Sequence, residues 1–143
     1  MTASDFDHFI EQYHDALNEI WKGNPEGYYR LYSRRDDVTL ANPFGPPVRG
    51  WEQVAQTIAH AATNFREGEV TGFERFATCI TPEFAYIVEM ERGRTKVGGA
   101  DGTSPIALRV TSIFRPEDGT WKIVHRHADP ITTVRTPESV LPI

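Results

Sequence analysis

The chain has 143 residues, 39% hydrophobic and 24% charged, so it can bury one core and is neither disordered nor long enough to require two domains. Its 15 basic and 20 acidic residues give a formal net charge of −5 without a basic stripe, which excludes nucleic acid as a partner. No apolar run approaches the roughly 18 residues of a membrane span, and the single Cys79 allows no internal disulfide, so we expect one domain over residues 1–143, cytoplasmic and without a membrane partner.

The N-terminal part of the chain is predicted to be helical. Ser4 is a candidate N-cap, and the apolar residues that follow recur at helical spacing, which predicts a first helix over 4–23. Asn24-Pro25 is typical of a second helix start, because proline fits the first helical position. The pattern then changes to period two over 38–42, which predicts a short strand that ends at Asn42.

The remainder is predicted to form a third helix and four strands. Prolines and glycine make 44–47 a rigid loop, and a helical stripe then runs from Trp51 to Phe65, with Gly68 as a candidate C-cap. Strands are predicted over 70–80, with a bulge, and over 84–90, 106–114 and 121–128. Helices followed by strands in short succession indicate an α+β fold, in which a twisted, curved sheet leaves a pocket that helices close.

Four motifs carry a family resemblance. They are Tyr13-His14-Asp15-Ala16-Leu17-Asn18, Asn42-Pro43-Phe44-Gly45, Gly50-Trp51 and Trp121-Lys122-Ile123-Val124-His125-Arg126-His127. With the order of elements, they resemble the nuclear transport factor 2-like superfamily, above all its SnoaL-like and ketosteroid-isomerase-like branch. The last motif is also similar to the association domain of calcium/calmodulin-dependent kinase II. The resemblance implies a cone-shaped, curved, mixed or antiparallel sheet with three N-terminal helices closing a pocket (a cystatin-like roll), but it specifies no chemistry.

The resemblance also implies which residues line that pocket. The predicted ligand-binding set is Tyr13, Leu17, Asn42, Phe44, Val88, Met90 and Arg126. Tyr13 occupies the place of the isomerase tyrosine that donates to an oxyanion, and Arg126 would favour a carboxylate or other anion. The competing interpretations are a core tyrosine with a satisfied hydroxyl and a solvated surface arginine.

The catalytic carboxylates of ketosteroid isomerase have no counterparts here. Its proton-shuttling aspartate is replaced by Asn42, whose amide has no basic site that could abstract a carbon-bound proton. No acid stands near 110–112, where its second acid aligns. Glu89 and Glu91 are predicted to lie at the rim or surface. The sequence therefore excludes that mechanism and assigns no catalytic residue.

The last predicted strand allows two interpretations of its histidines. His125, His127 and Asp129 alternate on one face, a pattern that suits a metal site. The resemblance instead implies that Val124, Arg126 and Ala128 point into the pocket and that the odd-numbered residues 121–127 form a face that contacts another subunit. Hydrophobicity alone predicts the opposite orientation, with Trp121 and Ile123 in the core. Following the resemblance, we predict no metal and a homodimer that packs sheet against sheet.

Three functions stay open from the sequence. The preferred one is binding of a small hydrophobic or anionic organic ligand in an apolar pocket with a few polar groups. The second is an isomerase, cyclase or dehydratase that acts on a carbonyl-containing substrate polarised by Tyr13, and the missing carboxylates count against it. The third is an oligomerisation module, against which we weigh the lack of an attached catalytic domain. No cofactor is predicted, because no Walker loop or dinucleotide fingerprint is present.

Overall fold

The computed structural model describes residues 2–143 as an α+β fold. Its elements in chain order are α1 (Ala3–Ile20), α2 (Glu26–Tyr29), β1 (Thr39–Ala41), β2 (Val48–Arg49), α3 (Trp51–Thr63), β3 (Phe65–Ile80), β4 (Ala85–Val97), β5 (Ser104–Glu117), β6 (Thr120–Asp129) and a 3-10 turn at Pro137–Val140. The strands form one sheet in the order β2-β1-β6-β5-β4-β3. Strand β1 is parallel to β6 and the other neighbours are antiparallel. The predicted mixed sheet with three helices is confirmed.

The two sides of the sheet have different surroundings. The helices pack against one side, which we call the inner face, where Phe114 of β5 makes edge-to-face contacts with Phe6, Phe9 and Tyr13 of α1. The opposite side, the outer face, carries half-buried residues such as Val88. Within residues 2–143, no helix combines the length and the apolar character that crossing a membrane requires. The cytoplasmic location stays a prediction.

Local boundaries differ from the predictions in three places. Helix α3 ends at Thr63 and Phe65 begins β3, so the predicted cap Gly68 lies inside a strand. The first cap is Thr2 rather than Ser4, because Thr2 and Asp5 form a reciprocal capping box. Strand β2 was not predicted, because two residues are too few to show period-two alternation. The expected irregularity of β3 is confirmed by three shifts of its register against β4.

Gly93 on β4 allows Trp21 to lie against the sheet. A Cβ at Gly93 would overlap the carbonyl oxygen of Glu69 and lie 2.5 Å from Cζ3 of Trp21. We expect Gly93→Ala to lower the free energy of unfolding by about 1–3 kcal/mol, because overpacking forces neighbouring groups to move. Urea denaturation would measure the loss, with Gly72→Ala as the matched control, since a Cβ there meets no atom within 4 Å. Equal losses in the two variants would contradict this account.

Candidate functional site

A cavity of about 50 Å³ lies between the helices and the inner face of the sheet. Its apolar lining includes Leu17, Ile20 and Trp21 of α1, Ile58 and Ala61 of α3, and Leu108 of β5. The polar side chains that line it are Tyr28, Asn42, Glu91 and Arg126. A concave, mostly apolar wall with a few polar groups is typical of a small-molecule site.

Arg126 and Glu91 form a buried ion pair in the cavity wall. Arg126 lies on β6 and is paired with Ser112 of β5, and Glu91 lies on β4 and is paired with Leu108 of β5. Ser112 and Leu108 face inward, so the side chains paired with them face inward as well. Nη2 of Arg126 donates to Oε2 of Glu91 at 3.0 Å, and the two side chains are 7% and 1% exposed. Burial lowers the pKa of Arg126, but the adjacent Glu91 carboxylate counteracts burial, and the pKa lies well above its ordinary value. The guanidinium is therefore charged.

Tyr13 supports this pair and is absent from the cavity lining. Its hydroxyl oxygen accepts a hydrogen bond from Nη1 of Arg126 at 2.7 Å and lies 2.6 Å from Oγ of Ser112. Burial raises the pKa of Tyr13, so the hydroxyl is neutral. In this arrangement Tyr13 positions the guanidinium and is fully engaged, rather than presenting a free donor to a ligand as the resemblance implied.

Asn42 and Phe44 form the part of the wall that follows β1. Oδ1 of Asn42 accepts from the backbone N–H of Phe44 at 3.0 Å, a turn that the intervening proline favours. Within residues 2–143 the amide NH₂ of Asn42 has no hydrogen-bond partner, and Asn42 lines both this cavity and a depression beside α3. Phe44 is 43% exposed and packs on Phe65. With Leu17 and Arg126, these two make four of the seven predicted residues that line the cavity.

The predicted faces of β4 are wrong. Glu89 and Glu91, expected at the rim or surface, point inward and are 2% and 1% exposed. Val88 and Met90 therefore lie on the outer face, where Val88 lines a separate depression with His127. Alternation of apolar and polar residues misleads here because each buried carboxylate has a cationic partner on another strand, Arg126 for Glu91 and Arg75 for Glu89.

Strand β6 changes face at Val124. The register between β5 and β6 shifts there, so Val124 is an extra, bulged residue and does not line the cavity. Before the bulge, Trp121 and Ile123 face the core, as hydrophobicity predicts. After it, Arg126 and Ala128 line the cavity, as the resemblance predicts. Each prediction is right for half of the strand, and the predicted contact face loses its two apolar members.

The remaining histidine pattern is engaged by local hydrogen bonds. Nδ1 of His125 lies 2.7 Å from Oγ1 of Thr39, and Nε2 of His127 donates to the Asp129 carboxylate at 2.9 Å. Burial and the neighbouring His127 lower the pKa of His125. In the described part of the chain, 2–143, no three His, Cys, Asp or Glu side chains are grouped so that they could hold a metal ion. That the protein uses no metal stays a prediction.

Sequence reasoning missed a second buried carboxylate cluster. Nε2 of His14 donates to Glu89 at 2.8 Å and Nε of Arg75 donates at 2.9 Å. The His14 ring also stacks on Phe73 with centroids 3.5 Å apart. The only sequence signal was the Glu-x-Glu alternation in a strand otherwise rich in apolar residues. The cluster ties α1 to β3 and β4 beside the cavity wall.

This cluster should make folding stability depend on pH. Burial raises the pKa of Glu89, but the hydrogen bonds from His14 and Arg75 outweigh it and hold that pKa below its ordinary value. A depressed carboxyl pKa stabilises the fold above the ordinary value, and the contribution is lost as pH falls through the folded-state pKa. We expect urea denaturation from neutral to acidic pH to show this loss.

The variant Glu89→Gln should be less stable at neutral pH and should have a shallower acid dependence, because it removes the titrating group. Glu83→Gln is the matched control, since Glu83 lies exposed in the turn before β4. An acid dependence unchanged in Glu89→Gln would show that other carboxyls are responsible.

Comparison with known proteins agrees with this architecture. The sequence matches the SnoaL-like domain family over residues 7–132. A nuclear transport factor 2-like superfamily protein from Salmonella enterica superposes with a TM-score of 0.75 at 16% identity, covering 94% of each chain. A ketosteroid isomerase-like protein from Erwinia carotovora atroseptica has a TM-score of 0.74 at 15% identity, covering 91% of this chain and 96% of its own.

A third solved structure has the same fold. A Thiobacillus denitrificans protein, provisionally named a calcium/calmodulin-dependent protein kinase type II association domain, has a TM-score of 0.71 at 18% identity and covers 87% of this chain and 93% of its own. No curated protein matches the sequence. These identities establish the fold and not the activity. Because the family match spans most of the sequence, the chain belongs to the SnoaL-like domain family, and it has the fold of the nuclear transport factor 2-like protein from Salmonella enterica.

Proposed function

We propose that the protein binds a small, neutral organic molecule in the cavity, with its apolar body against the helices and one polar edge toward Glu91 and Arg126. The observation that carries this proposal is a buried, charge-compensated ion pair in an otherwise apolar wall. Burial of apolar ligand surface against such a wall is favourable, and the wall provides hydrogen-bonding groups at the ion pair. The sequence predicted a hydrophobic or anionic ligand, and the proposal restricts this class to neutral molecules.

The charge balance of the wall favours a neutral ligand. Arg126 already pairs with Glu91, so the polar edge carries no net charge. A carboxylate ligand would have to share the guanidinium with Glu91 and would lie close to a like charge in a poorly solvated place. A neutral carbonyl, amide or hydroxyl group avoids that repulsion and can still form hydrogen bonds there.

The size of the cavity limits the ligand. The cavity has a volume of about 50 Å³. Because one water needs roughly 10–15 Å³, the cavity holds about four waters or an organic molecule of about four heavy atoms. A larger ligand requires the wall to move. Phe44 is the wall residue with that freedom, because it is partly exposed in the loop between β1 and β2.

Four probes of nearly equal shape test the proposal: acetone, acetamide, acetate and isobutene. We expect the three neutral probes to shift the methyl NMR signals of Leu17, Ile58 and Leu108 with millimolar affinity, and acetate to bind at least about ten times more weakly. The control is Ala61→Leu, which fills the cavity from a partly exposed position. Absence of binding by every neutral probe, or tighter binding of acetate, would refute the proposal.

A second candidate function is proton transfer at a carbonyl compound. The observation that favours it is Glu91, whose carboxylate lines the cavity and supplies the base that Asn42 cannot. This candidate predicts deuterium exchange into acetone that Glu91→Gln lowers by about 10²–10⁴-fold, the usual contribution of a general base. Exchange at the same rate in the wild-type protein and in Glu91→Gln would refute this second candidate function.

We also propose that two copies associate through the outer face of the sheet. The half-buried Tyr86, Val88 and Ile113 lie on that face, which is opposite to the side that the helices of residues 2–143 pack against. The name of the Thiobacillus denitrificans relative contains the words association domain, which is in keeping with assembly. Sedimentation should show a dimer that Val88→Glu dissociates, and a clean monomer at micromolar concentration would contradict the proposal.

A further inference from the structure

We infer that Tyr28 is the hydrogen-bond donor that the cavity presents to its ligand, that Tyr32 directs this donor, and that the ligand is therefore a neutral carbonyl compound. The inference rests on the proposed function, because it concerns the same cavity. It moves the contact with the carbonyl oxygen from Tyr13 to a residue on α2.

The two tyrosines have different surroundings. Their hydroxyl oxygens lie 2.7 Å apart, and within residues 2–143 neither has another hydrogen-bond partner. Tyr28 lines the cavity. Tyr32 is fully buried and does not line it. Of the two side chains, therefore, Tyr28 is the one that a ligand in the cavity can contact, and we place its hydroxyl at the polar edge of the cavity.

Counting protons gives the direction of the bond between them. Two hydroxyls carry two protons, and the bond uses one. If Tyr28 donated, the proton of Tyr32 would be left in the core without an acceptor, which is unfavourable for a buried polar group. If Tyr32 donates, its proton is satisfied and the proton of Tyr28 stays free at the cavity, where a ligand can accept it. The second arrangement is the more stable one.

The donor is also protonated and held in place. Burial raises the pKa of both Tyr28 and Tyr32, so both hydroxyls keep their protons at neutral pH. The Tyr28 ring stacks on Tyr13 with an interplanar angle of 7°, and meets the Tyr32 ring edge to face with centroids 5.0 Å apart. A donor fixed before binding loses little freedom when the ligand arrives.

The choice of ligand class follows from what else faces the cavity. Tyr28 donates to an acceptor, and Arg126 and the Asn42 amide add further donors. A carbonyl oxygen accepts two such bonds without bringing a charge. An amide can in addition donate to Glu91, whereas a ketone cannot. Acetone and acetamide therefore represent the ligand class, and isobutene, in which a methylene group replaces the carbonyl oxygen, represents shape without the acceptor.

The experiment compares Tyr28→Phe with Tyr32→Phe. Each variant removes one hydroxyl and the hydrogen bond between the two, but only the first removes the donor from the cavity. Urea denaturation of both variants measures their stability separately, because Tyr28→Phe also leaves the Tyr32 proton without an acceptor. We expect Tyr28→Phe to weaken acetone binding about 3- to 10-fold, the usual worth of one neutral hydrogen bond. Tyr32→Phe should change it less than about 2-fold, and neither variant should change isobutene binding. In the wild-type protein, acetone should move the Cζ NMR signal of Tyr28 more than that of Tyr32.

Each contrary result has a separate meaning. Equal weakening of acetone binding in the two variants, or a larger Cζ shift at Tyr32, would overturn this inference and leave the proposed function standing. Equal weakening of acetone and isobutene by Tyr28→Phe would overturn it as well, because the loss would then come from altered shape. Failure of all neutral probes to bind the wild-type protein would overturn the proposed function and this inference with it.

Discussion

Replacing Arg126 by methionine is expected to lower the free energy of unfolding by about 3–5 kcal/mol. The substitution keeps most of the apolar stem but removes the cation from Glu91, whose side chain is almost completely buried. A carboxylate left in that position must either stay charged without a partner or take up a proton, and both are unfavourable. The variant also deprives the Tyr13 hydroxyl of the donor at 2.7 Å.

Two further variants test whether burial of the pair is the cause. Arg109→Met removes a neighbouring arginine whose pair with Asp129 is 55% exposed on the arginine side, and should cost no more than about 1 kcal/mol. The double variant Arg126→Met, Glu91→Gln should cost less than the sum of its single changes, because it leaves no unpaired charge. Urea denaturation of these three variants and of the single variant Glu91→Gln gives the four values, and an Arg126→Met loss as small as that of Arg109→Met would contradict the buried pair.

The same pair connects stability to the proposed ligand. A buried ion pair is not in itself a strong reason for a stable fold, because apolar residues of similar volume often stabilise as well or better. In this cavity the pair does something apolar residues cannot do: it offers donors and an acceptor at one edge without a net charge. If the cavity binds the ligand proposed above, the role of the pair is to select that ligand.

Local patterns were sufficient to predict most of the fold. The helical stripe of α1 and the turn residues between the long strands are properties of adjacent residues, so they can be read from the sequence. The end of α3 was misplaced because Phe65 continues the helical spacing although it begins β3. Strand β1 was predicted, but its parallel pairing with β6 is a long-range contact that no local pattern indicates.

The site was predicted only in part, because its polar groups depend on partners far along the chain. Glu91 is buried because Arg126 reaches it from β6, and Glu89 is buried because His14 reaches it from α1. Neither pairing could be inferred from an alternating strand. Tyr28 was not among the predicted site residues, because its place beside both the cavity and Tyr32 is known only from the folded structure. Leu17, Asn42 and Phe44 were found through the resemblance.

The bulge at Val124 leads to the second large expected effect. Trp121 precedes it, is 4% exposed and meets Phe6 edge to face with centroids 5.2 Å apart. We expect Trp121→Ala to lower the free energy of unfolding by about 3–5 kcal/mol, as is usual when a large core aromatic is truncated. His127→Ala, on the outer face beyond the bulge, should stay within about 0.5 kcal/mol of the wild type.

A conservative variant separates packing from polarity at Trp121. Among residues 2–143, Nε1 of Trp121 is the buried side-chain polar atom that has no hydrogen-bond partner. Trp121→Phe keeps much of the aromatic contact and removes this orphan donor, so it should cost clearly less than Trp121→Ala. Equal losses in the two variants would mean that the indole makes a contact that ring packing does not explain.

The oligomeric state of Trp121→Ala tests whether Trp121 lies in the core, as in the structure, or on the contact face that the resemblance predicted. If Trp121 lay on the contact face, its truncation would weaken association and leave the stability of each copy nearly unchanged. Because the bulge turns Trp121 into the core, we expect the reverse: urea denaturation shows the loss, and sedimentation below the denaturing range gives the same species as the wild-type protein. Dissociation of Trp121→Ala without loss of stability would place the bulge elsewhere and return Trp121 and Ile123 to the outer face.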